Sequence, residues 1–304
     1  MVLQLDEARV RDALSWESLI PAMKTALAEF SRGRVLQPVR NMLTIEEGQR
    51  YLGIMPAVME RAMGLKAVSF YPRNAGTGLP THMAMILLFD PETGQPLAVM
   101  DGRLITEMRT AAVSAAVTRH LAAPNARVLA LLGSGVQARA HLAALSHVRS
   151  FSETRVWSRN RAHAERFARE HGVEAVASAE AAVRGADVIV TATAAHEPIL
   201  RGEWLKTGAH VNAVGSSRPD WRELDDDAMA NVVVVDSREA AAKEAGDVLM
   251  AGAQIYAEAG EIFAGCKAAT PEETTIFKSL GLAVEDIAAA RLVVEKARAK
   301  PTPD

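Results

Sequence analysis

Strand-like runs fill most of the first third of the chain, as the order of its hydrophobic and polar positions indicates. One helix precedes them over residues 16–30, where large apolar side chains recur three and four positions apart. The predicted strands span residues 39–45, 52–58, 65–71, 82–90 and 97–100. Because no helical pattern separates these strands, they predict a mixed or antiparallel sheet.

The pattern then changes to short apolar runs that alternate with helical segments. These runs span residues 128–132, 154–157, 173–176, 187–191, 211–214 and 232–236. Strands separated by helices favour a parallel, doubly wound sheet. A last helix, over about residues 284–299, has one apolar face, and we expect it to return to the first domain.

We therefore predict an α/β fold with two domains. A Rossmann-type, doubly wound parallel sheet is expected at residues 117–286, and a mixed or antiparallel α+β domain at residues 1–116 and 287–304. A chain of 304 residues is long for one compact core, which also favours two domains.

Charge and composition exclude several kinds of partner. A formal net charge of −3 argues against nucleic acid and against acidic membrane surfaces. No apolar run approaches the roughly 20 residues of a membrane helix, and we expect no signal peptide. The single cysteine, Cys266, allows no internal disulfide and fits a reducing compartment, so a cytoplasmic protein is expected. No metal site is predicted.

A glycine-rich turn follows the apolar run at residues 128–132 and is typical of a dinucleotide site. The predicted cofactor-binding residues of this turn are Gly133, Ser134, Gly135, Val136, Gln137 and Ala138. Gly133 permits a tight turn, Gly135 allows the backbone to approach a pyrophosphate, and the small Ala138 allows close packing of helix on strand. The alternative is an ordinary strand–helix corner that happens to carry two glycines.

The next strand end indicates which dinucleotide binds. NAD-selective sites place Asp or Glu there to bind the ribose 2′-hydroxyl, whereas this chain has Ser158, followed by Arg159 and Asn160. A hydroxyl and a guanidinium suit a 2′-phosphate. NADPH is therefore predicted, with Arg159 as its main phosphate contact and NADH as the alternative. The competing interpretation is that these polar residues are a solvated start of a helix.

Three cations in apolar surroundings are the candidate substrate ligands. Arg40 lies in the first strand region, Lys66 inside an apolar strand, and Arg109 in a helix rich in Ala and Val. Burying such a charge is costly unless it meets an anion, so a substrate carboxylate is one explanation. Pairing with an Asp or Glu of the protein, or extension into solvent, is the other. His82, beside Thr81, is a candidate proton donor or a plain hydrogen-bonding residue.

Ordered motifs along nearly the whole chain resemble the ornithine cyclodeaminase/mu-crystallin family. They are Lys66 in its strand, Gly78-Leu79-Pro80-Thr81-His82, Leu88-Phe89-Asp90, Met100-Asp101-Gly102, Arg109-Thr110-Ala111-Ala112, the turn at 133–138, and the segment 278–286. The stretches 212–226, 235–237 and 243–249 are most similar to the mu-crystallin branch of that family.

This resemblance implies a substrate-binding and dimerisation domain around the nucleotide domain, and a homodimer built through the sheets of the substrate domain. It also implies roles at matched positions: Arg40, Lys66 and Arg109 on the substrate carboxylate, Thr81, His82, Thr110, Val214 and Ser279 near the cofactor, and Glu244 facing the ligand pocket. Glu244 is expected to stabilise an iminium, and Lys66, His82 or water to supply its proton.

One departure from the family bears on the reaction. Ornithine cyclodeaminases carry an Asp where this chain has Ser217, and a hydroxyl alone is no base at neutral pH. We therefore expect a ketimine reductase that converts Δ1-pyrroline-2-carboxylate or Δ1-piperideine-2-carboxylate to L-proline or L-pipecolate. An alanine-type amino-acid dehydrogenase, an ornithine cyclodeaminase and an NADPH-dependent ligand-binding protein remain as alternatives.

Overall fold

The computed structural model describes residues 2–268 and 270–299. The chain divides into two compact units, Met1–Arg109 with Leu282–Asp304, and Thr110–Gly281. The predicted domain boundaries, after residues 116 and 286, fall inside helices, because the helix that contains Arg109 continues to Leu121 and the last helix begins at Ala283.

The first unit contains a six-stranded sheet in the order β1-β6-β5-β4-β3-β2. Its strands are β1 Leu3–Leu5, β2 Asn41–Glu46, β3 Arg50–Met59, β4 Ala62–Phe70, β5 His82–Phe89 and β6 Pro96–Asp101. Helices α1 Glu7–Ala13, α2 Trp16–Ser31 and the start of α3 Arg103–Leu121 belong to the same unit, as does α11 Ala283–Ala299. The pairing of β1 with β6 is parallel and the others are antiparallel, so the sheet is mixed, as predicted.

One face of this sheet is covered by α11, which contacts β3, β4 and β5, and α2 packs on α11. Of the predicted apolar face of α11, Ile287, Ala290 and Val294 are buried, and Ala297 is half-buried. The helix lies close to the sheet because Gly64 of β4 has no side chain: a Cβ there would lie 2.8 Å from Ile287 Cδ1 and 2.3 Å from the carbonyl oxygen of Leu87. The covered face carries Lys66, which therefore meets the first turn of α11.

The second unit is built on an eight-stranded sheet in the order β13-β12-β14-β11-β10-β7-β8-β9, with every pairing parallel. Its strands are β7 Val128–Leu132, β8 Glu153–Trp157, β9 Glu174–Ala175, β10 Val188–Thr191, β11 His210–Ala213, β12 Val232–Val235, β13 Ile255–Glu258 and β14 Thr275–Lys278. The helices between them are α4 Val136–Ser146, α5 Arg161–His171, α6 Ala179–Val183, α7 Asp226–Met229, α8 Arg238–Glu244, α9 Gly246–Ala251 and α10 Ala259–Phe263.

Strand order reverses at β7, which pairs with β8 on one side and with β10 on the other. This is the topological switch point of a doubly wound sheet, and ligands bind outside the carboxyl ends of the strands at such a point. The predicted α/β class with a Rossmann-type domain is thus confirmed. Among the described residues, no helix has a stretch long and apolar enough to span a bilayer.

Candidate functional site

The turn between β7 and α4 has the geometry that a dinucleotide requires. Gly133 has φ +118°, and a Cβ there would lie 2.5 Å from the backbone oxygen of Ala192, so only glycine fits. Gly135 is the N-cap of α4, and no side chain caps the first N–H groups of that helix. A Cβ at Gly135 would meet nothing within 4 Å, so open space faces these groups. Open space at the positive end of a helix is the usual binding place of a pyrophosphate.

The other predicted residues of the turn surround the same point. Ser134 is half-buried, Val136 is exposed and Ala138 is buried against the sheet. Gln137 Oε1 is buried, and among the described residues no group donates a hydrogen bond to it. A buried acceptor without a donor is costly, and a ligand hydroxyl or amide would satisfy it.

The predicted 2′-phosphate residues at the carboxyl end of β8 differ in whether they already have partners in the protein. Ser158 is half-buried, and Arg159 is exposed with no partner among residues 2–268 and 270–299. Arg161 is paired with Glu165, Nε to Oε1 2.8 Å. Asn160 has a structural role as the N-cap of α5, because its Oδ1 accepts a hydrogen bond from the amide of Ala162 at 3.0 Å. The guanidinium of Arg159 is thus the available cation at this position.

In the first unit, two of the predicted cations form a buried cluster with two carboxylates of α11. Lys66 Nζ lies 2.7 Å from Asp286 Oδ2. Arg109 contacts both acids, Nη1 to Glu285 Oε2 at 2.6 Å and Nε to Asp286 Oδ1 at 3.1 Å. The four side chains are between 0% and 5% exposed. The pairing of these cations with acids of the protein, one of the two sequence interpretations, is therefore present.

Lys66 has a lowered pKa in this buried cluster. Burial lowers its pKa from 10.5 to about 8, Asp286 opposes that shift, and the positive charges of Arg109 and Arg40 add to it. Lys66 Nζ also donates to Thr106 Oγ1 at 3.3 Å. Arg40 is half-buried just before β2, and its influence on the pKa of Lys66 brings all three predicted cations into one electrostatic neighbourhood.

His82 begins β5 beside this cluster. Its ring stacks on Phe70 at a centroid distance of 4.4 Å, and Nδ1 lies 3.3 Å from Thr81 Oγ1. Although the residue as a whole is exposed, loss of hydration around the ring lowers its pKa to about 4, and the positive charge of Lys66 acts in the same direction. The ring is therefore neutral at pH 7.

The remaining predicted residues belong to the second unit. Thr110 is buried on α3, and Val214 follows β11 with its amide bonded to the carbonyl of Thr191 at 2.9 Å. Ser279 directly follows β14, and its buried hydroxyl has no partner within the described part of the chain. Glu244 is the half-buried last residue of α8. Ser217 is exposed on the segment after β11.

Sequence reasoning missed Glu285 and Asp286. They stand in the first turn of an apolar helix, where acidic residues are common because they favour the positive end of the helix dipole. The available signal was their position: two adjacent acids among the apolar residues that begin this helix must find cations if that part of the helix is buried.

Comparisons with known proteins show the family of this chain and its fold. A profile of the ornithine cyclodeaminase/mu-crystallin family matches residues 1–301. The ketimine reductase mu-crystallin of Mus musculus is 52% identical over 300 residues, 96% of each chain. The structure of Thermococcus litoralis Δ1-pyrroline-2-carboxylate reductase in complex with NADH and L-proline has a TM-score of 0.93 at 37% identity and covers 98% of both chains. An archaeal alanine dehydrogenase dimer with bound NAD also has a TM-score of 0.93, at 34% identity, covering 100% of this chain and 98% of that one.

Proposed function

Because the chain belongs to the ornithine cyclodeaminase/mu-crystallin family, we propose that it is a nicotinamide-dependent ketimine reductase. Its substrate is Δ1-pyrroline-2-carboxylate or Δ1-piperideine-2-carboxylate, and its product is L-proline or L-pipecolate. The buried cluster of Lys66 and Arg109 carries this proposal, since it holds two cations suited to a carboxylate, one of them an amine whose pKa burial lowers to about 8. The names of the mouse relative and of the T. litoralis structure support the same chemistry.

Arg40, Lys66 and Arg109 hold the substrate carboxylate in this proposal. Lys66 Nζ carries three hydrogens when protonated and has two acceptors among the described residues, so one hydrogen remains for a substrate oxygen. Guanidinium groups bind carboxylates in a fixed planar geometry. Fixing the carboxylate also fixes the imine carbon next to it, and such positioning removes a large part of the barrier to hydride transfer.

Lys66 also supplies the proton that the imine nitrogen needs. Reduction breaks the C=N π bond, with a hydride added at carbon and a proton at nitrogen, and gives a secondary amine. With a pKa of about 8, Lys66 is mostly protonated at pH 7 and still acidic enough to release that proton. His82, with its pKa lowered to about 4, is neutral at pH 7 and is the weaker candidate. Glu244 is assigned to stabilise the positive charge of the iminium.

A nicotinamide cofactor is supported by the two solved neighbours, whose structures contain NADH or NAD. When bound, the reduced cofactor supplies the hydride. The turn that contains Gly133 and Gly135 would hold its pyrophosphate, and Ser158 with Arg159 would hold a 2′-phosphate. The free guanidinium of Arg159, in a position without an acidic residue, favours NADPH over NADH.

We also propose a homodimer formed through the open face of the first unit's sheet. That face, opposite α11, exposes large apolar side chains on three strands: Leu43, Ile54, Met83, Met85 and Leu87. Exposed apolar patches of this kind mark protein contacts. One of the solved neighbours is described as a dimer.

An alanine dehydrogenase is the second candidate, because the archaeal dimer matches this chain with the same TM-score as the imine reductase does. Both enzymes would deliver hydride to a protonated imine beside a carboxylate. They differ in whether the imine nitrogen belongs to a ring.

The test is to follow oxidation of NADPH and of NADH with each cyclic imine and with pyruvate plus ammonium. Preferred turnover of a cyclic imine supports the reductase. Turnover restricted to pyruvate and ammonium would replace it with an amino-acid dehydrogenase. Arg109→Ala should abolish most activity and leave cofactor affinity nearly unchanged, because Arg109 is assigned to the substrate.

A further inference from the structure

A second set of buried charges lies in the nucleotide-binding unit and has no part in the chemistry described so far. Glu223, Asp247 and Lys278 are each 0% exposed. Glu223 precedes α7, Asp247 lies in the first turn of α9, and Lys278 is the last residue of β14. Burying three charges is costly unless their partners are nearly ideal.

Lys278 links one of these carboxylates to the segment that leaves β11. Its Nζ lies 2.7 Å from Asp247 Oδ2 and donates to the backbone oxygens of Gly215 at 2.5 Å and Ser216 at 3.3 Å. The other oxygen of Asp247 accepts the amides of Glu223 and of the residue after it, at 2.7 and 2.9 Å. One ammonium group thus fixes two consecutive carbonyl groups.

Glu223 binds backbone N–H groups, where Lys278 binds backbone carbonyl groups. It accepts the backbone N–H of Thr193 at 2.7 Å and of Gly215 at 2.9 Å, together with the hydroxyls of Thr191 and Thr193 at 2.7 and 2.6 Å. Burial raises the pKa of Glu223, while Lys278 acts in the opposite direction. Because the two backbone partners can only donate, an ionised, acceptor-only carboxylate is the form that fits.

The segments held in this way are the ones that leave β10 and β11, and they touch each other. A Cβ at Gly215 would lie 2.2 Å from the backbone oxygen of Thr193. Ser216 has φ +51°, a conformation that non-glycine residues rarely adopt, and its hydroxyl donates to the backbone oxygen of Ala195 at 2.5 Å. Such strain persists only where the surroundings enforce it, as the buried charges do here.

These two segments lie at the carboxyl ends of the sheet, next to the switch point between β7 and β10. A dinucleotide binds across that point with one mononucleotide on each half of the sheet. The adenosine half belongs to the β7–β8 side, where the 2′-phosphate residues are, so the nicotinamide half belongs to the β10–β11 side. The buried, unpartnered hydroxyl of Ser279, directly after Lys278, faces the same edge as a polar group that a ligand would satisfy.

We propose that Lys278, with Asp247 and Glu223, is a positioning residue that holds the backbone of 192–196 and 214–217 in the shape that receives the nicotinamide half of the cofactor. This inference rests on the dinucleotide cofactor of the proposed function, and not on the identity of the imine. Its consequence is specific: loss of Lys278 disturbs the nicotinamide half of the site and leaves the adenosine half intact.

The test uses the double variant Lys278→Met/Asp247→Asn, which removes the paired ammonium and carboxylate together and leaves Glu223 with its four hydrogen bonds. Affinities for NADPH and for 2′,5′-ADP, which carries only the adenosine half, are measured by calorimetry on the full chain; NADH and ADP replace them if NADH is the better cofactor. We expect unchanged affinity for 2′,5′-ADP and an affinity for NADPH that is about tenfold weaker.

Kinetic measurements provide a second test of the positioning role. A nicotinamide displaced by a fraction of an ångström slows hydride transfer by about tenfold to a hundredfold. We therefore expect kcat to fall and the deuterium isotope effect on kcat to rise when the cofactor is deuterated at the transferred position. A purely structural role would lower the melting temperature without moving the isotope effect.

Lys206→Met is the matched control, because Lys206 pairs with Asp187 at the opposite end of β10 and Asp187 also accepts two consecutive backbone amides, at 2.7 and 2.8 Å. This variant should change neither the ratio of the affinities for NADPH and 2′,5′-ADP nor the isotope effect on kcat. If the double variant does not fold, Thr193→Val removes one hydroxyl bond to Glu223 and should weaken NADPH binding in the same direction.

Equal losses of affinity for both nucleotides, or none, would overturn the inference. A protein that reduces no imine but shows the selective loss of NADPH affinity would contradict the proposed reaction and retain the positioning role.

Discussion

Lys66 has an unusual position for an amine, since it is 2% exposed, touches the carboxylate of Asp286 and lies near two further cations. If its proton is delivered to the imine, kcat/KM should fall as the pH rises through about 8, the pKa of Lys66. Asp286→Asn removes the charge that raises this pKa. We expect the alkaline limb of the pH profile to move to lower pH by about one unit or more.

Glu285→Gln is the control for this measurement. It removes a neighbouring charge from the same helix turn, but its contact is with Arg109 and not with Lys66. It should therefore lower activity through substrate binding and move the alkaline limb less than Asp286→Asn does. An alkaline limb that stays in place in Asp286→Asn would mean that another group supplies the proton.

The choice of cofactor depends on two neighbouring side chains at the end of β8. Ser158→Asp combined with Arg159→Ala places a carboxylate beside the 2′ position and removes the free guanidinium. Since hydrogen bonds to charged groups contribute about 1.5–3 kcal/mol, the ratio of kcat/KM for NADPH over NADH should fall roughly ten- to hundredfold. Arg161→Ala is the matched control, because Arg161 is engaged with Glu165 and should leave the ratio unchanged.

At the scale of elements, apolar runs were predictable and short strands with polar residues were less so. The apolar runs of β5, β7, β10 and β12 lie where the sequence predicts them. The strands β1, β13 and β14 have only three or four residues, each with at least one polar side chain, and were missed. Missing β14 also hid Lys278, because a lysine outside any predicted element gives no reason to expect burial.

The same limit applies to the candidate site. The glycine turn and the three cations could be identified locally, since each is unusual within its own segment. The pairing of Lys66 with Asp286 could not be identified in this way. It forms only when α11 packs on the sheet, and the two residues are more than 200 positions apart in the chain. Only the tertiary fold brings these groups together.

The open face of the first unit's sheet leads to a prediction about the dimer interface. Met85 of β5 is 50% exposed, and Met250 of α9, in the other unit, is 47% exposed. Met85→Lys should convert the proposed dimer to a monomer with little loss of folding stability, because the side chain already lies in solvent in one chain. Met250→Lys should leave the assembly unchanged. Sedimentation of the wild type and both variants decides this, and a Met85→Lys protein that remains dimeric would place the interface elsewhere.

For the whole molecule, we expect two buried histidines to contribute to the response to acid. His141 and His210 of the second unit are 0% exposed, and burial lowers their pKa values from 6.5 to about 4 and about 3. His141 Nδ1 lies 2.7 Å from Gln137 O, a contact that raises its pKa but is outweighed by burial, and Nε2 lies 2.9 Å from Ser114 Oγ. His210 Nδ1 contacts Thr275 Oγ1 at 2.8 Å. Below pH 6.5 the unfolded chain therefore binds protons that the folded chain does not.

The free energy of unfolding should therefore have its full value above about pH 6.5. It should decrease as the pH falls towards 4, by on the order of 3 kcal/mol for each histidine. Urea unfolding at pH 7.5 and pH 5, at one protein concentration, measures the slope of the unfolding free energy against pH. His210→Gln removes one titrating ring and should flatten it, even if the variant is less stable at pH 7.5. His163→Gln, at an exposed position on α5, should leave the slope as it is. An unchanged slope in His210→Gln would mean that the acid response comes from other groups, such as the carboxylates that are paired in the folded chain.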